Sequence, residues 1–356
     1  KMKSILVLTM YGDLAASSRQ RCIQYFEELN KFNFNIRVEP LFPNEYLEKI
    51  FNNTKPSYLK IFWWYVKRFF VLLRSSKYDI LWIQYELFPQ LPSFFETLVL
   101  FFNKNIILDF DDAIFHKYDL WSGPFTRFFL EKKLEPLCSK ASAIICGNSY
   151  IKEWANQFCK NTILIPTVID FEKYDSYKLL NKNHVPVIGW IGSPATWLYV
   201  EPLLDMLSDL SKKNNFKVLI IGSGCSNIKK KNFEFREWNA ESEIKDIYQM
   251  DVGIMPLFDD PWALGKCGYK LIQYMACQKP VIASPVGVNC NIVEDGVNGF
   301  FANTTQEWKI AINTLMSDEN LRKKMGNAGS FKIKNNYSLD SQLQILLELF
   351  KSLDTH

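Results

Sequence analysis

Short apolar runs separated by longer segments with helical spacing recur along the whole chain, and they do so in two successive sets. A run too short to be a buried helix, followed by an amphipathic stretch, reads as a parallel strand feeding a crossover helix. The first set is Ile5–Thr9, Phe34–Val38, Ile80–Gln84, Asn105–Phe110, Ala143–Cys146 and Thr162–Ile165; the second is Pro186–Ile191, Lys217–Ile221, Phe233–Glu237, Val252–Met255, Pro280–Ala283 and Gly299–Ala302. Between them Pro166-Thr167-Val168-Ile169-Asp170 leads into the polar, weakly periodic stretch Phe171–Val185, which reads as a linker. The expected division is a first domain over 1–170, a linker over 171–185, a second domain over 186–337 and a closing helix over 338–356. That helix carries Leu339, Leu343, Ile345, Leu346, Leu347 and Phe350 at helical spacing and has the option of crossing back onto the first domain. The fold class is α/β: two doubly wound, Rossmann-like domains facing a cleft. A length of 356 residues suits two domains, because single cores stop growing at about 250–300 residues.

Composition removes several classes of function. With 48% hydrophobic and 22% charged residues the chain is neither disordered nor membrane-spanning, and no uncharged stretch approaches the roughly 20 apolar residues that a transmembrane helix needs. The net charge of +4 falls mostly in residues 1–183, but no Lys/Arg tract forms a nucleic-acid stripe, so no nucleic-acid partner is expected. The eight cysteines include no CxxC pair and only His116, His184 and His356 could add nitrogen ligands, which argues against a zinc site. Cysteines inside apolar runs, as in Ala143-Ile144-Ile145-Cys146, read as small buried hydrophobes in a reducing cytoplasm. The start, Lys1–Met10, reads as a first strand rather than a signal peptide.

Ligands of parallel sheets bind beyond the strands' carboxyl ends, often at a helix N-terminus. Two loops suit this. Gly12-Asp13-Leu14-Ala15-Ala16-Ser17-Ser18-Arg19-Gln20-Arg21 follows the first strand, with cap-forming serines ahead of a helix bearing Ile23, Phe26 and Leu29. Gly192-Ser193-Pro194-Ala195-Thr196 opens the second set, with Ser193 suited to cap a helix and Pro194 to its first position. Neither is a Walker motif or a complete GxGxxG, and Gly222-Ser223-Gly224 reads as a structural turn.

The stretch Met255–Ser284, with Gly265-Lys266-Cys267-Gly268-Tyr269-Lys270-Leu271-Ile272-Gln273-Tyr274-Met275-Ala276-Cys277-Gln278-Lys279-Pro280-Val281-Ile282-Ala283-Ser284, resembles the donor-site segment of the retaining glycosyltransferase family four. The resemblance continues in Glu294-Asp295-Gly296-Val297-Asn298-Gly299-Phe300, in Leu321-Arg322-Lys323-Lys324-Met325-Gly326 and in Ile165-Pro166-Thr167-Val168-Ile169-Asp170. In the first half, Ala16-Ser17-Ser18-Arg19-Gln20-Arg21 and Asp109-Phe110-Asp111-Asp112-Ala113-Ile114-Phe115 are similar to a surface-polysaccharide branch of that family. The resemblance implies the GT-B fold and transfer of a sugar from a nucleotide-diphosphate sugar to a glycan or polyprenyl-linked acceptor. It further implies no metal and no other cofactor, and a cytoplasmic enzyme.

The departures from the family pattern matter too. Its paired glutamates correspond to Gly265 and Gln273, and the cations that follow the first strand of its second domain are missing from Ile188–Trp197. Lys266 and Lys270, four apart, are expected on one helix face, where they would neutralise the diphosphate. Gln273 would hydrogen-bond ribose, with an ordinary helical glutamine as the alternative, and Trp238 would meet the nucleobase, with a core tryptophan as the alternative. These readings together give a candidate catalytic set of Asp111, Asp112, His116, Lys266 and Lys270. The donor-binding set is Gly12, Gly192, Ser193, Thr196, Trp238, Lys266, Lys270 and Gln273. Asp111-Asp112 is expected to bind sugar or acceptor hydroxyls first and magnesium second. Two rivals remain: a nucleotide-sugar epimerase or phosphorylase, which shares the GT-B fold, and a catalytically silent sugar-binding subunit, which would explain the missing glutamates.

One segment fits none of these roles. In Tyr58–Arg74 the cations Lys60, Lys67 and Arg74 are seven apart and aromatic or aliphatic residues fill most of the remaining circumference. It reads either as an interfacial helix contacting the inner face of the cytoplasmic membrane or as a helix buried in the first domain with its cations reaching outward.

Overall fold

A computed structural model describes residues 2–51, 54–177, 185–225 and 228–353. The chain falls into two compact units, Lys1–Thr167 with Gly265–Cys267 and Gln342–His356, and Val168–Leu264 with Gly268–Ser341.

Each unit is built on one six-stranded, wholly parallel sheet, as the alternation predicts. The first contains β1 (Lys3–Leu8), β2 (Phe34–Val38), β3 (Ile80–Gln84), β4 (Ile106–Phe110), β5 (Ala143–Cys146) and β6 (Thr162–Leu164), in the order β2-β1-β3-β4-β5-β6. The second contains β7 (Val187–Ile191), β8 (Lys217–Ile221), β9 (Phe233–Arg236), β10 (Val252–Met255), β11 (Val281–Ala283) and β12 (Gly299–Phe301), in the order β12-β11-β10-β7-β8-β9. β3, β4, β5 and β7 are buried at every position, which is why they read as unbroken apolar runs. In both sheets the winding reverses beside the first strand, between β1 and β3 and between β7 and β10, and ligands of open parallel sheets sit beyond the carboxyl ends at such points.

Two expectations need correction. Phe171–Asp175 is a helix rather than linker, because Phe171 and Tyr174, three apart, both bury into the second unit's core. The chain leaves the first unit earlier, at Thr167, and the backbone of Ile169 is held by Tyr337 and Leu339. Residues 178–184, with the expected linker residues Asn181-Lys182-Asn183-His184, lie outside the described residues, as does His356. The loop after β1 does not enter one continuous helix: Ala16–Arg21 is followed by a 3-10 turn, Ile23–Tyr25, and a second helix, Phe26–Lys31. Ser17 and Ser18 lie inside the first of these, where Ser18 turns inward to donate to the Tyr11 carbonyl (2.8 Å) rather than capping.

The reason Ala16–Arg21 lies where it does is a buried ion pair. Arg21 Nε and Nη2 reach Asp109 Oδ1 at 2.9 and 2.7 Å, and its Nη1 donates to the Ile165 carbonyl at 2.7 Å. Trp82 Nε1 completes the set at 3.1 Å from Asp109 Oδ2. Burial pushes the Asp109 carboxyl up despite Arg21 and Trp82; it also works against the Arg21 charge, which Asp109 and Asp111 nevertheless hold more firmly than usual. The closing helix, Leu339–Ser352, passes into the first unit from Gln342 on, where Phe350 packs edge-on against Phe34 and Trp82. Lys3 Nζ caps its last turn by donating to the Phe350 and Lys351 carbonyls, both at 3.2 Å.

The Tyr58–Leu73 helix is only partly buried. Its inner face is tied down by Arg68, which donates to the Thr9 and Glu39 carbonyls at 2.8 and 3.1 Å, and by Leu72. Its outer face carries Leu59, Phe62, Trp63, Phe69, Phe70 and Leu73, with Phe62 and Trp63 each 59% exposed and Phe70 54%. The buried-helix reading therefore does not hold. Of the basic stripe, Lys60 bridges to Glu45 and Lys67 to Glu39 (3.3 Å). Among the described residues no helix is long and apolar enough to cross a membrane.

Replacing Arg21 with Met should destabilise the first unit by about 3–5 kcal/mol, because the Asp109 charge is left buried without its partner. The double variant Arg21→Met/Asp109→Leu should recover a large part of that loss in denaturant unfolding; a single variant as stable as wild type would contradict the structural role of the pair.

Candidate functional site

At the carboxyl ends of β1, β3 and β4, the first unit gathers a cluster that the sequence announced only in part. Asp111 and Asp112 follow β4 directly, and Asp111 is buried with Oδ1 lacking a hydrogen-bond partner among the described residues. Burial first, and then the Asp112 charge, pushes the Asp111 carboxyl up to about 7, against the opposing pull of Arg21 and a hydrogen bond from Tyr85. Tyr85 follows β3 with φ +65°, a left-handed backbone that aromatic residues seldom adopt. Burial and the two carboxylates drive its hydroxyl well above the ordinary range. Asp112, partly exposed, meets Lys266 Nζ at 3.2 Å, and the Lys266 carbonyl accepts from Asn148 Nδ2 at 3.1 Å.

Lys266 thus belongs with the carboxylates of the first unit. It does not share a helix face with Lys270, contrary to expectation. The helix is Tyr269–Ala276, and its N-cap Gly268 takes φ +69°, a conformation open to glycine that breaks the helical run. A Cβ at 268 would in addition meet Ile292 at 2.4 Å. The lost first glutamate has its own cause: a Cβ on Gly265 would meet the Ala113 nitrogen at 2.8 Å, so no carboxylate fits there.

In the second unit, Lys270 sits in the first turn of that helix, its ammonium 5.8 Å from the centre of the Trp190 ring near the end of β7. The helix lies close on the sheet: a Cβ on Gly253 of β10 would meet the Tyr274 ring at 2.3 Å, and Tyr274 Oη accepts from the Ile191 N–H at 2.9 Å. Gln273 is buried and donates Nε2 to Tyr174 Oη at 3.1 Å, so its amide nitrogen is engaged in the core. Gly192 continues the ladder, donating to Ile221 at 3.0 Å. Ser193 opens a 3-10 segment, Pro194–Tyr199, rather than an α-helix, and Thr196 Oγ1 closes its first turn onto Ser193 N and O, both at 3.1 Å. So short a turn sums few peptide dipoles, and the helix terminus expected to face phosphate is not formed. Trp238, half-buried beyond β9, donates Nε1 to Glu243 at 2.9 Å.

Two further expected residues stand apart. Gly12 packs against Asn44, whose Oδ1 would lie 2.2 Å from an added Cβ. His116 is buried with both ring nitrogens engaged, Nδ1 by Asp119 at 2.8 Å and Nε2 by Tyr150 Oη at 2.7 Å, which makes it a fixed bridge within its own unit. Tyr85 and Arg21 were not foreseen as members of the cluster; Arg21 lies in a quoted motif, but nothing in the sequence marks the backbone of Tyr85. Among the described residues no group of three or more His, Cys, Asp or Glu is placed to hold a metal ion.

Residues 185–318, from the start of the second sheet to beyond β12, match the family model described as "Glycosyl transferases group 1". An uncharacterized glycosyltransferase of Methanocaldococcus jannaschii is 24% identical over 327 residues, 86% of this chain and 82% of that one. The capsular polysaccharide biosynthesis glycosyltransferase CapM of Staphylococcus aureus is 28% identical over 195 residues, 51% and 48% of the two chains. Among solved structures, Anabaena HepE in complex with UDP-glucose superposes with a TM-score of 0.71 at 16% identity, covering 98% of this chain and 100% of its own. The α/β architecture of two parallel-sheet units is therefore the GT-B one.

Asp111→Asn should raise stability at pH 8.5, on the order of 1 kcal/mol or more, because it removes a buried charge. The Asp111 pKa is raised in the folded state, so the cost of its charge appears as pH rises from about 4 and is complete above about 7. The gain should vanish at pH 4, where both proteins carry a neutral side chain; a gain equal at both pH values would contradict a buried carboxyl raised mainly by desolvation.

Proposed function

We propose that the chain is a retaining glycosyltransferase: the second unit holds a nucleotide-diphosphate sugar and the carboxylates of the first unit orient a glycan or polyprenyl-linked acceptor. The observation that carries this reading is the match of residues 185–318 to the group 1 glycosyl transferases, because it spans the whole second sheet and Lys270. The likeness to a capsular polysaccharide enzyme supports surface-polysaccharide assembly as the setting.

In this reading the acceptor hydroxyl attacks the anomeric carbon from the face that the diphosphate leaves. The bond from that carbon to the diphosphate oxygen breaks, and the departing diphosphate takes the hydroxyl proton. Retention follows without an enzyme nucleophile, and catalysis is positional and electrostatic. Lys270 supplies charge to the diphosphate, and Asp111 and Asp112 accept hydrogen bonds from sugar or acceptor hydroxyls. No metal enters the scheme: the Asp112 carboxylate is bridged to Lys266, which compensates its charge without a cation from solution. The apolar outer face of Tyr58–Leu73 supports an acceptor carried in a bilayer, met by the enzyme at the inner face of the cytoplasmic membrane.

Incubated with UDP-, GDP- and ADP-sugars, the protein should release nucleoside diphosphate from one nucleotide class, slowly with water and faster with acceptor. The product should keep the donor's anomeric configuration, and the rate should survive EDTA. An inverted product would contradict retention, abolition by EDTA reversed by magnesium would make Asp111 and Asp112 metal ligands, and no release from any donor would leave the silent-subunit reading.

A further inference from the structure

Tyr58–Leu73 is not the only aromatic surface of the first unit. The segment that follows β4 carries Trp121 and the short helix Pro124–Leu130, in which Phe125, Phe128 and Phe129 are 79%, 81% and 55% exposed. Nothing about folding puts three phenylalanines of one helix in water, since each forgoes about 1.5–3 kcal/mol of burial. A patch of this kind marks an interaction site.

The two aromatic elements are rooted on the same piece of chain. Tyr65, on the inner side of Tyr58–Leu73, donates to the Pro89 carbonyl at 2.8 Å and packs its ring 5.9 Å from Phe88. One residue further on, the Gln90 N–H donates to Tyr118 Oη at 3.2 Å, and Tyr118 lies on the helix His116–Asp119 that packs on Pro124–Leu130. The loop Tyr85–Gln90, which leaves the carboxyl end of β3, therefore stands between them. It is itself held rigidly: the buried Lys133 ammonium binds Glu86 (3.1 Å), Glu96 (2.6 Å) and the Phe88 carbonyl (2.6 Å).

We propose that Trp121–Phe129 and the outer face of Tyr58–Leu73 dock together on one anionic bilayer, forming an apolar rim around the carboxyl-end loops that carry Asp111. The inference rests on the reading of the acceptor as lipid-carried. A lipid surface is the occupant that fits: exposed aromatic side chains crowd both elements, the cation Arg74 lies at the end of Tyr58–Leu73 while Lys60 and Lys67 are shared with Glu45 and Glu39, and residues 1–183 hold the positive surplus of the chain. Docked in this way, the rim lets the carrier stay in the bilayer while its sugar reaches the carboxylates.

The test is co-sedimentation of the purified protein with vesicles of phosphatidylglycerol and phosphatidylcholine, without donor or acceptor, so that it does not depend on turnover. Phe125→Ser/Phe128→Ser/Phe129→Ser should weaken vesicle binding about tenfold or more while leaving the melting temperature and donor hydrolysis unchanged. Quenching of tryptophan emission by brominated lipid should also fall in Trp121→Phe, which keeps a large apolar side chain in place. Vesicle binding equal in wild type and triple variant, or absent from wild type, would overturn the proposal. So would a wild-type dimer that the triple variant converts to monomer, since a second copy would then cover the patch. None of these outcomes touches nucleotide release, whose failure would instead sink the enzymatic reading.

Discussion

The pairing of Arg21 with Asp109 fixes the geometry on which the first unit's chemistry depends. Both groups are buried, so each is costly alone, and together they draw the loop after β1 against the end of β4. Asp109 and Asp111 are two apart and point to the same side of the strand. The interaction that satisfies one of them therefore leaves the other at the mouth of the sheet with an oxygen unoccupied and its carboxyl raised. Tyr85 reaches the same place through a left-handed backbone, a strain of about 1–3 kcal/mol that the surrounding contacts must hold in place. Ion pair, strained tyrosine and half-satisfied carboxylate form one arrangement.

The second unit solves a different problem with glycine. Close approach of Tyr269–Ala276 to β10 requires Gly253, and the turn that aims Lys270 at the end of β7 requires Gly268. In Gly265–Cys267, which belongs to the first unit, no side chain fits at Gly265, where the family pattern has a carboxylate, and Lys266 reaches Asp112. In the proposed reading the donor meets Lys270, and the acceptor meets the carboxylates held by the Arg21–Asp109 framework.

All twelve strands were legible to within about two residues, because wholly buried parallel strands leave an unmistakable pattern of short apolar runs. Asp111, Asp112, Lys266 and Lys270 were legible as chemistry-bearing residues, but not their grouping. Spacing of four implies a shared helix face only if the helix is unbroken, and Gly268 breaks it by a backbone angle that composition does not reveal. The linker was misplaced because polarity hid Phe171 and Tyr174, whose burial depends on partners distant in sequence. The Ser193 turn had capping chemistry without the length that gives a helix its dipole, and the partner of Arg21 lies 88 residues away, a separation no local pattern records.

The central claim is that the second unit holds a nucleoside diphosphate through Lys270. Calorimetric titration of the full chain with UDP, GDP and ADP tests it most directly. The account predicts one-to-one binding of one of the three, weakened about tenfold by Lys270→Ala at unchanged melting temperature, as loss of a charge-assisted bond to phosphate requires. Binding of none of the three, or equal affinity in the variant, would contradict it.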